Sequence, residues 1–221
     1  MKIKVKKLFP KIYLLMFDTQ YELCMSFVRW QEFYESPKFR GKYFDLEEYI
    51  DYWSKDFGGG SFDYPAVWGG FNIPGKVIDD WISISVEKQD RDRENEVLIL
   101  LCDTLRNDNL YLRDTYIIAT HKEQEEREIN TTIDHELAHA FYYVYPEYKS
   151  SCNKLLKKVS KVAYTNAKVM LVKLGYCRAS IKDEMQAYFS TYNEKEILTP
   201  RMDFCKNFET FKKSMGGKND R

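Results

Sequence analysis

The 221-residue sequence has only three histidines, no closely spaced cysteine pair and no net charge. Its five cysteines are an odd number without a CxxC pair, so we expect neither a disulfide framework nor a cysteine-rich zinc site. No apolar run is long enough to cross a membrane. The 34 basic residues balance the 34 acidic ones, so no overall charge attracts nucleic acid or an anionic membrane.

Apolar residues make up 44% of the chain and aromatic residues 16%, which is typical of a globular protein with a sizeable core. Residues 1–17 begin like a signal peptide, with lysines before an apolar stretch. Pro10 and Lys11 interrupt that stretch, and no small-residue cleavage site follows it before Thr19. We therefore interpret residues 3–17 as one or two strands and expect a cytoplasmic protein, with secretion as the alternative.

Hydrophobic periodicity and turn residues divide the rest of the chain into elements. The pattern predicts helices at 19–35, 45–55, 97–105, 131–146, 147–174 and 180–192, and strands at 82–86 and 111–120. The charged residues 87–95 suggest a boundary between subdomains. We predict an aromatic-rich region at 1–90, with most of its rings in the core and packed on a second region at 91–200, and a C-terminal tail at 201–221.

His135 and His139 stand four residues apart in the run DHELAHAF. Positions i and i+4 of a helix lie on one face, one turn apart, so both imidazoles can bind one Zn²⁺ at about 2.0–2.1 Å. Glu136 is rotated by about 100° from His135 and is less suited to join this pair. It can instead accept a proton from a water molecule that the metal acidifies.

This segment resembles the HExxH signature of the zincin metallopeptidases beyond the core motif. The two residues that precede His139 are uncharged, and Thr132 and Phe141 fit the flanking positions of the signature. The resemblance covers about residues 91–192 and implies an α+β fold with a zincin-like core, mostly helical with a small mixed sheet. It also implies zinc-dependent hydrolysis of a peptide or protein substrate, with Glu136 as the general base.

A catalytic zinc site generally needs a third protein ligand. The run KDEMQAY, residues 182–188, is similar to the second helix of the gluzincins, a group of zincins in which a glutamate binds the metal. The resemblance implies Glu184 as this ligand, with Ala187 as the small residue that lets the two helices approach. Asp183, near the predicted helix N-terminus, and His121 are the alternatives.

The chain departs from the gluzincin pattern at Tyr188, where some members carry an aspartate that orients a metal-binding histidine. Tyr188 and His121 are candidate donors to the oxyanion of the transition state, together with Tyr176 and Tyr192. The resemblance also implies that the strand at 111–120 forms the edge of the sheet and pairs with a peptide substrate.

Two other patterns point to different functions. The run GFNIPGKV at 70–77 matches the phosphate-binding GxxxxGK loop, but Val77 lacks the hydroxyl that binds Mg²⁺, so we predict a turn. Residues 149–182 contain nine basic side chains and no acid, which we interpret as a solvated helix face rather than a nucleic-acid site. The alternative function is a non-catalytic protein that binds a partner or nucleic acid and has a structural or vestigial zinc site.

Overall fold

The computed structural model of the protein describes residues 1–86, 92–174, 176, 180–191 and 201–216. Contacts divide the chain into two compact units, Met1–Thr132 (unit 1) and Ile133–Arg221 (unit 2). The described residues form ten α-helices and a mixed four-stranded sheet, so the prediction of an α+β fold is confirmed. None of these helices combines the length and the apolarity that crossing a bilayer requires.

All four strands belong to unit 1 and lie in the order β1-β2-β4-β3. Their bounds are Ile3–Phe9 (β1), Ile12–Phe17 (β2), Gly70–Pro74 (β3) and Tyr116–His121 (β4). β1 and β2 form an antiparallel hairpin in which Lys11 adopts a positive φ of 66°. Pro10 and Lys11 therefore provide the turn between two strands, which confirms the interpretation of residues 3–17.

The strand β4 is central in the sheet, so the prediction that residues 111–120 form its edge is wrong. β4 is parallel to β2 on one side and antiparallel to β3 on the other, and all six of its residues are buried. A strand that is buried on both faces typically has such a run of apolar residues, without alternating polar ones. Leu112–Asp114 form a short 3-10 helix before it. Among the described residues, β3 pairs with β4 alone and takes the edge position.

The sequence predicted three of the five helices that the structure describes in unit 1. The five are α1 (Gln20–Glu35), α2 (Leu46–Asp56), α3 (Tyr64–Val67), α4 (Gly75–Ser85) and α5 (Asp92–Asn107). The Thr19 hydroxyl caps α1 by accepting a hydrogen bond from the amide of Glu22 at 3.2 Å.

The prediction of a strand at residues 82–86 is wrong, because these residues form the last turn of α4 and its C-cap. The buried residues Ile78, Trp81 and Ser85 follow helical spacing, whereas Ile84 and Val86 are exposed. The GxxxxGK run is not a turn either, because β3 ends at Pro74 and α4 begins at Gly75. Gly75 packs so closely on the backbone that an added Cβ would lie 1.9 Å from the Leu112 carbonyl oxygen.

The core of unit 1 is rich in aromatic side chains, as the sequence predicts. Phe44, Tyr49, Tyr64 and Trp81 are almost fully buried and contact further rings in the same cluster. Phe57 is an exception, because 61% of it is exposed.

The described secondary-structure elements of unit 2 are all helices. The division between the units falls within α6 (Glu126–Val144), and α7 (Pro146–Leu156), α8 (Lys161–Lys173), α9 (Ile181–Thr191) and α10 (Arg201–Ser214) follow. α6 begins five residues before the predicted Thr131, whose hydroxyl donates to the Arg127 carbonyl inside the helix. The single helix expected at 147–174 is two helices, because Ser160 caps α8 by accepting from the amide of Ala163 at 3.2 Å.

The division at Thr132 differs from the predicted limits near residues 90 and 200. β2 and β3 precede residue 90 and both pair with β4, so residues on either side of that limit share one sheet. Residues 201–214, which lie in the predicted C-terminal tail, form α10, and their Phe204 and Phe208 are buried.

Candidate metal centre

The two histidines of the HExxH motif lie side by side on α6. Their ring centroids are 4.9 Å apart, and only 8% of His135 and 3% of His139 are exposed. The neighbouring residues Leu137, Ala138 and Phe141 are buried in unit 2. The helical period therefore places both imidazoles on the buried side of α6.

Glu184 joins the histidines from the first turn of α9. Its amide donates to the Ser180 carbonyl oxygen at 2.9 Å, and only 7% of the residue is exposed. Ala187, one turn later, is fully buried, as expected for the small residue of this helix. His135, His139 and Glu184 each offer one ligand atom, and these atoms lie within 4.8 Å of one another.

Two of the distances within this cluster are close to those between the ligands of one tetrahedral metal ion. His135 Nε2 and His139 Nε2 are 3.4 Å apart, and His139 Nε2 is 3.6 Å from Glu184 Oε2. Two nitrogen ligands, each at about 2.0–2.1 Å from a tetrahedral zinc ion, lie about 3.3–3.4 Å from each other. Two imidazoles and one carboxylate are also the donor set of many catalytic zinc sites.

The outer nitrogens of both imidazoles are held by oxygen acceptors. His139 Nδ1 lies 3.0 Å from Asp183 Oδ1, and His135 Nδ1 lies 3.3 Å from the Thr191 hydroxyl. The Thr191 hydroxyl donates its own hydrogen to the Ala187 carbonyl oxygen at 2.8 Å, so it can accept from His135. A proton on each Nδ1 leaves each Nε2 with the lone pair that a metal ligand needs.

The charges around His139 favour a positive charge at the centre of the cluster. Burial opposes protonation of His139, but the carboxylates of Asp183, Glu184 and Glu136 outweigh it and raise the pKa of this histidine to about 10. Burial and the neighbouring His139 lower the pKa of His135 well below its usual range. Either a proton on His139 or a bound cation satisfies the surrounding carboxylates.

Glu136 and two tyrosines lie beside the three candidate ligands. Glu136 is half-buried, and its charge acts on both His139 and Tyr176. The ring of Tyr188 stands edge-on to His135 at 5.0 Å, and its hydroxyl lies 3.3 Å from that of Tyr176. Burial, the Glu184 carboxylate and the hydrogen bond with Tyr188 raise the pKa of Tyr176. Tyr176 therefore remains a protonated O–H donor at neutral pH.

A buried glutamine connects the cluster to the rest of unit 2. Gln186 Nε2 donates to the Ala138 carbonyl oxygen at 3.1 Å and to Asp183 Oδ1 at 3.0 Å. Gln186 Oε1 accepts from the Tyr148 hydroxyl at 3.2 Å, and Cys152 Sγ lies 3.7 Å away. The glutamine has no exposed surface.

Asp183 and His121, the alternatives for the third ligand, have different surroundings in the structure. Asp183 contacts the outer nitrogen of His139, so it holds a candidate ligand instead of being one. His121 lies on β4 in unit 1, where its Nε2 is 3.0 Å from Gln124 Nε2 and burial lowers its pKa. Of the four candidate oxyanion donors, Tyr176 and Tyr188 lie beside the cluster, and Tyr192 lies outside the described residues.

Sequence reasoning missed the partners of the two imidazoles. Asp183 and Gln186 are three residues apart on α9, a spacing that places two side chains on one helix face. Thr191 is seven residues after Glu184 and shares its face in the same way. This periodicity groups the residues, but it does not reveal which of them contact α6.

Comparisons of the chain with protein-family models, with curated proteins and with solved structures found no match. The residues of the cluster and their geometry are therefore the basis for assigning a function.

Proposed function

We propose that the protein is a zinc-dependent metallopeptidase whose metal is held by His135, His139 and Glu184. The observation that supports this most directly is the convergence of two imidazole Nε2 atoms and a carboxylate within 4.8 Å of one another in a buried site. The likeness of residues 132–141 to the zincin signature supports a peptide bond as the substrate. The same three donors also suit ferrous iron, so the metal itself has to be identified.

Glu136 is the general base in this proposal. Zinc at this site would supply an acidified water molecule and a Lewis acid for the scissile carbonyl. Glu136 accepts the proton of the attacking water and later donates it to the amine of the leaving peptide. Its carboxylate is not one of the three ligands and is near enough to His139 to affect its pKa. The Tyr176 and Tyr188 hydroxyls can donate hydrogen bonds to the developing oxyanion.

The variant Glu136→Gln tests this mechanism, because glutamine keeps the shape of the side chain but cannot accept a proton. We expect unchanged zinc content and a loss of about 10²–10⁴-fold in the hydrolysis of fluorescently labelled casein. The matched control is Glu128→Gln, which alters an exposed glutamate of the same helix and should cleave at the wild-type rate. His135→Ala should lose both zinc and hydrolysis.

Three results would contradict the proposal. One is full activity of Glu136→Gln. Another is a stoichiometric metal other than zinc in elemental analysis of the purified protein. A third is zinc-loaded wild-type protein that cleaves no peptide, which would favour the alternative of a binding protein with a structural metal.

A further inference from the structure

Asp183 lies directly behind the candidate metal ligand His139. Its Oδ1 is 3.0 Å from His139 Nδ1, while His139 Nε2 faces His135 and Glu184. A carboxylate in this position fixes the tautomer and the orientation of the ring and makes Nε2 a better metal ligand. Some gluzincins draw this partner from four residues after the glutamate ligand, which is Tyr188 here. Asp183 instead immediately precedes Glu184.

Burial alone does not fix the Asp183 carboxylate, because a third of its side chain is exposed. Gln186, one turn later on α9, donates to the same Oδ1 atom at 3.0 Å. Its other N–H donates at 3.1 Å to the carbonyl oxygen of Ala138, the residue that precedes His139. Gln186 therefore holds both the carboxylate that contacts the His139 ring and the backbone that carries it.

The surroundings of Gln186 allow only one orientation of its amide. Its Oε1 accepts from Tyr148, whereas its Nε2 faces the two oxygen acceptors on Asp183 and Ala138. A flipped amide would place Oε1 against those two oxygens. The fully buried glutamine thus has a defined direction for both of its donors.

We propose that Asp183, held by Gln186, is the positioning residue that orients His139 for metal binding in this chain. This inference rests on the proposed function, because it takes His139 as a metal ligand. The partner of His135 is the neutral hydroxyl of Thr191, so the two histidines differ in the charge of the group that orients them.

Metal affinity tests the role of Asp183 without any measurement of hydrolysis. Zinc dissociation constants are measured by chelator competition, and Co²⁺-loaded protein provides the visible spectrum of the site. Asp183→Ala should bind zinc about 10- to 100-fold more weakly and alter the Co²⁺ spectrum. Asp183→Asn keeps an oxygen acceptor for His139 and should recover part of that loss. The control Asp203→Ala removes an exposed first-turn acid of α10 and should leave both readouts unchanged.

A double-mutant cycle tests whether Gln186 acts through Asp183. Gln186→Met has a similar length but no donors, and it should weaken zinc binding by about tenfold in the wild-type background. In the Asp183→Ala background it should change the affinity by less than about twofold, because the group it holds is gone. Thermal unfolding of each apo variant measures any folding defect separately from the zinc affinity.

The outcomes separate this inference from the proposed function. Wild-type zinc affinity and an unchanged Co²⁺ spectrum in Asp183→Ala would overturn the role of Asp183. Equal losses of affinity from Gln186→Met in both backgrounds would overturn its dependence on Asp183. Wild-type protein that binds neither zinc nor Co²⁺ would overturn the inference and the proposed function together. Protein that binds zinc but cleaves no peptide would remove only the proposed function, and the affinity series would still support the role of Asp183.

Discussion

The two compact units bury ionisable side chains in different ways. In unit 1, Arg29 on α1 and Glu94 on α5 form an ion pair of 2.5 Å with both side chains almost fully buried. The opposite charges of this pair cancel inside a core that is otherwise largely aromatic and aliphatic. In unit 2, two imidazoles and the Glu184 carboxylate converge on one point, with further carboxylates close by.

This difference separates a structural use of buried charge from a candidate functional one. An ion pair whose members neutralise each other can stabilise the packing of two helices and needs no further partner. In unit 2 the carboxylates of Asp183, Glu184 and Glu136 surround His139, and their negative charge favours a cation there, either a proton on the histidine or a bound metal ion. We therefore expect the buried groups of unit 1 to contribute mainly to folding stability, and the buried cluster of unit 2 to bind a ligand.

The largest expected effect is the loss of metal from unit 2 in Glu184→Ala. Removing one of three protein ligands should reduce zinc from about one equivalent to a small fraction, because two imidazoles alone hold the ion weakly. Elemental analysis of the purified protein measures this. The control is Glu147→Ala, an exposed glutamate in the first turn of α7, which should retain zinc. Full zinc content in Glu184→Ala would contradict the assignment of Glu184 as the third ligand. It would also contradict the contrast drawn between the two units.

The next effect is on stability, through the aromatic core of unit 1. Phe27 has no exposed surface and contacts the rings of Phe17, Trp30 and Phe71. Phe27→Ala should lower the free energy of unfolding by about 3–5 kcal/mol, measured by urea denaturation. Zinc content of the folded protein should not change, because none of the three candidate ligands lies in unit 1.

A surface aromatic residue of the same unit provides the control for that experiment. Tyr111 is 77% exposed, so Tyr111→Ala should change the free energy of unfolding by less than about 0.5 kcal/mol. If Phe27→Ala is as mild as this control, the aromatic cluster does not stabilise unit 1 as described.

The smallest effect concerns Glu32, a carboxyl group near the buried rings of unit 1. Burial raises the pKa of Glu32, although hydrogen bonds from Tyr49 and Tyr64 oppose the shift. A raised pKa in the folded state means that the stabilisation from this group is complete below the unfolded pKa of about 4.3 and is lost as the pH rises through the folded value. Wild-type protein should therefore lose stability relative to Glu32→Gln as the pH rises towards neutrality.

Urea denaturation of both proteins at about pH 3.5, below the unfolded pKa, and at about pH 7.5 measures this difference. Between the two pH values, the free energy of unfolding of wild type relative to Glu32→Gln should fall by about 1.4 kcal/mol for each pH unit by which folding raises the pKa of Glu32. Glu48→Gln, an exposed glutamate on α2, is the control and should follow the wild-type pH dependence. A constant difference between Glu32→Gln and wild type at both pH values would contradict a raised pKa.

Several elements could be predicted because their signals are local. The helical period of α1 and the cap at Thr19 follow from residues within a few positions of each other. The common face of His135 and His139 depends only on the geometry of one helix. Glu184 needed a resemblance as well, because it comes from a second helix.

Other elements depended on distant contacts, and local patterns misled there. The alternation of Ile82, Ile84 and Val86 indicated a strand, but burial of Ile78 and Trp81 against other elements favours α4. The apolar residues of β4 did not reveal which strands pair with it. Strand order is set by pairing between segments that are far apart in the chain.

The sequence by itself determined the strands within residues 3–17 and the pair of imidazoles on α6, because each follows from periodicity over a few residues, whereas the α+β class was implied by the resemblance. Only the tertiary structure decided that β4 is central, that Glu184 meets the two Nε2 atoms, and that Asp183 and Thr191 hold the opposite nitrogens. The direction of a side chain on its own helix depends on the local backbone. Which side chains of two helices meet depends on how the helices pack.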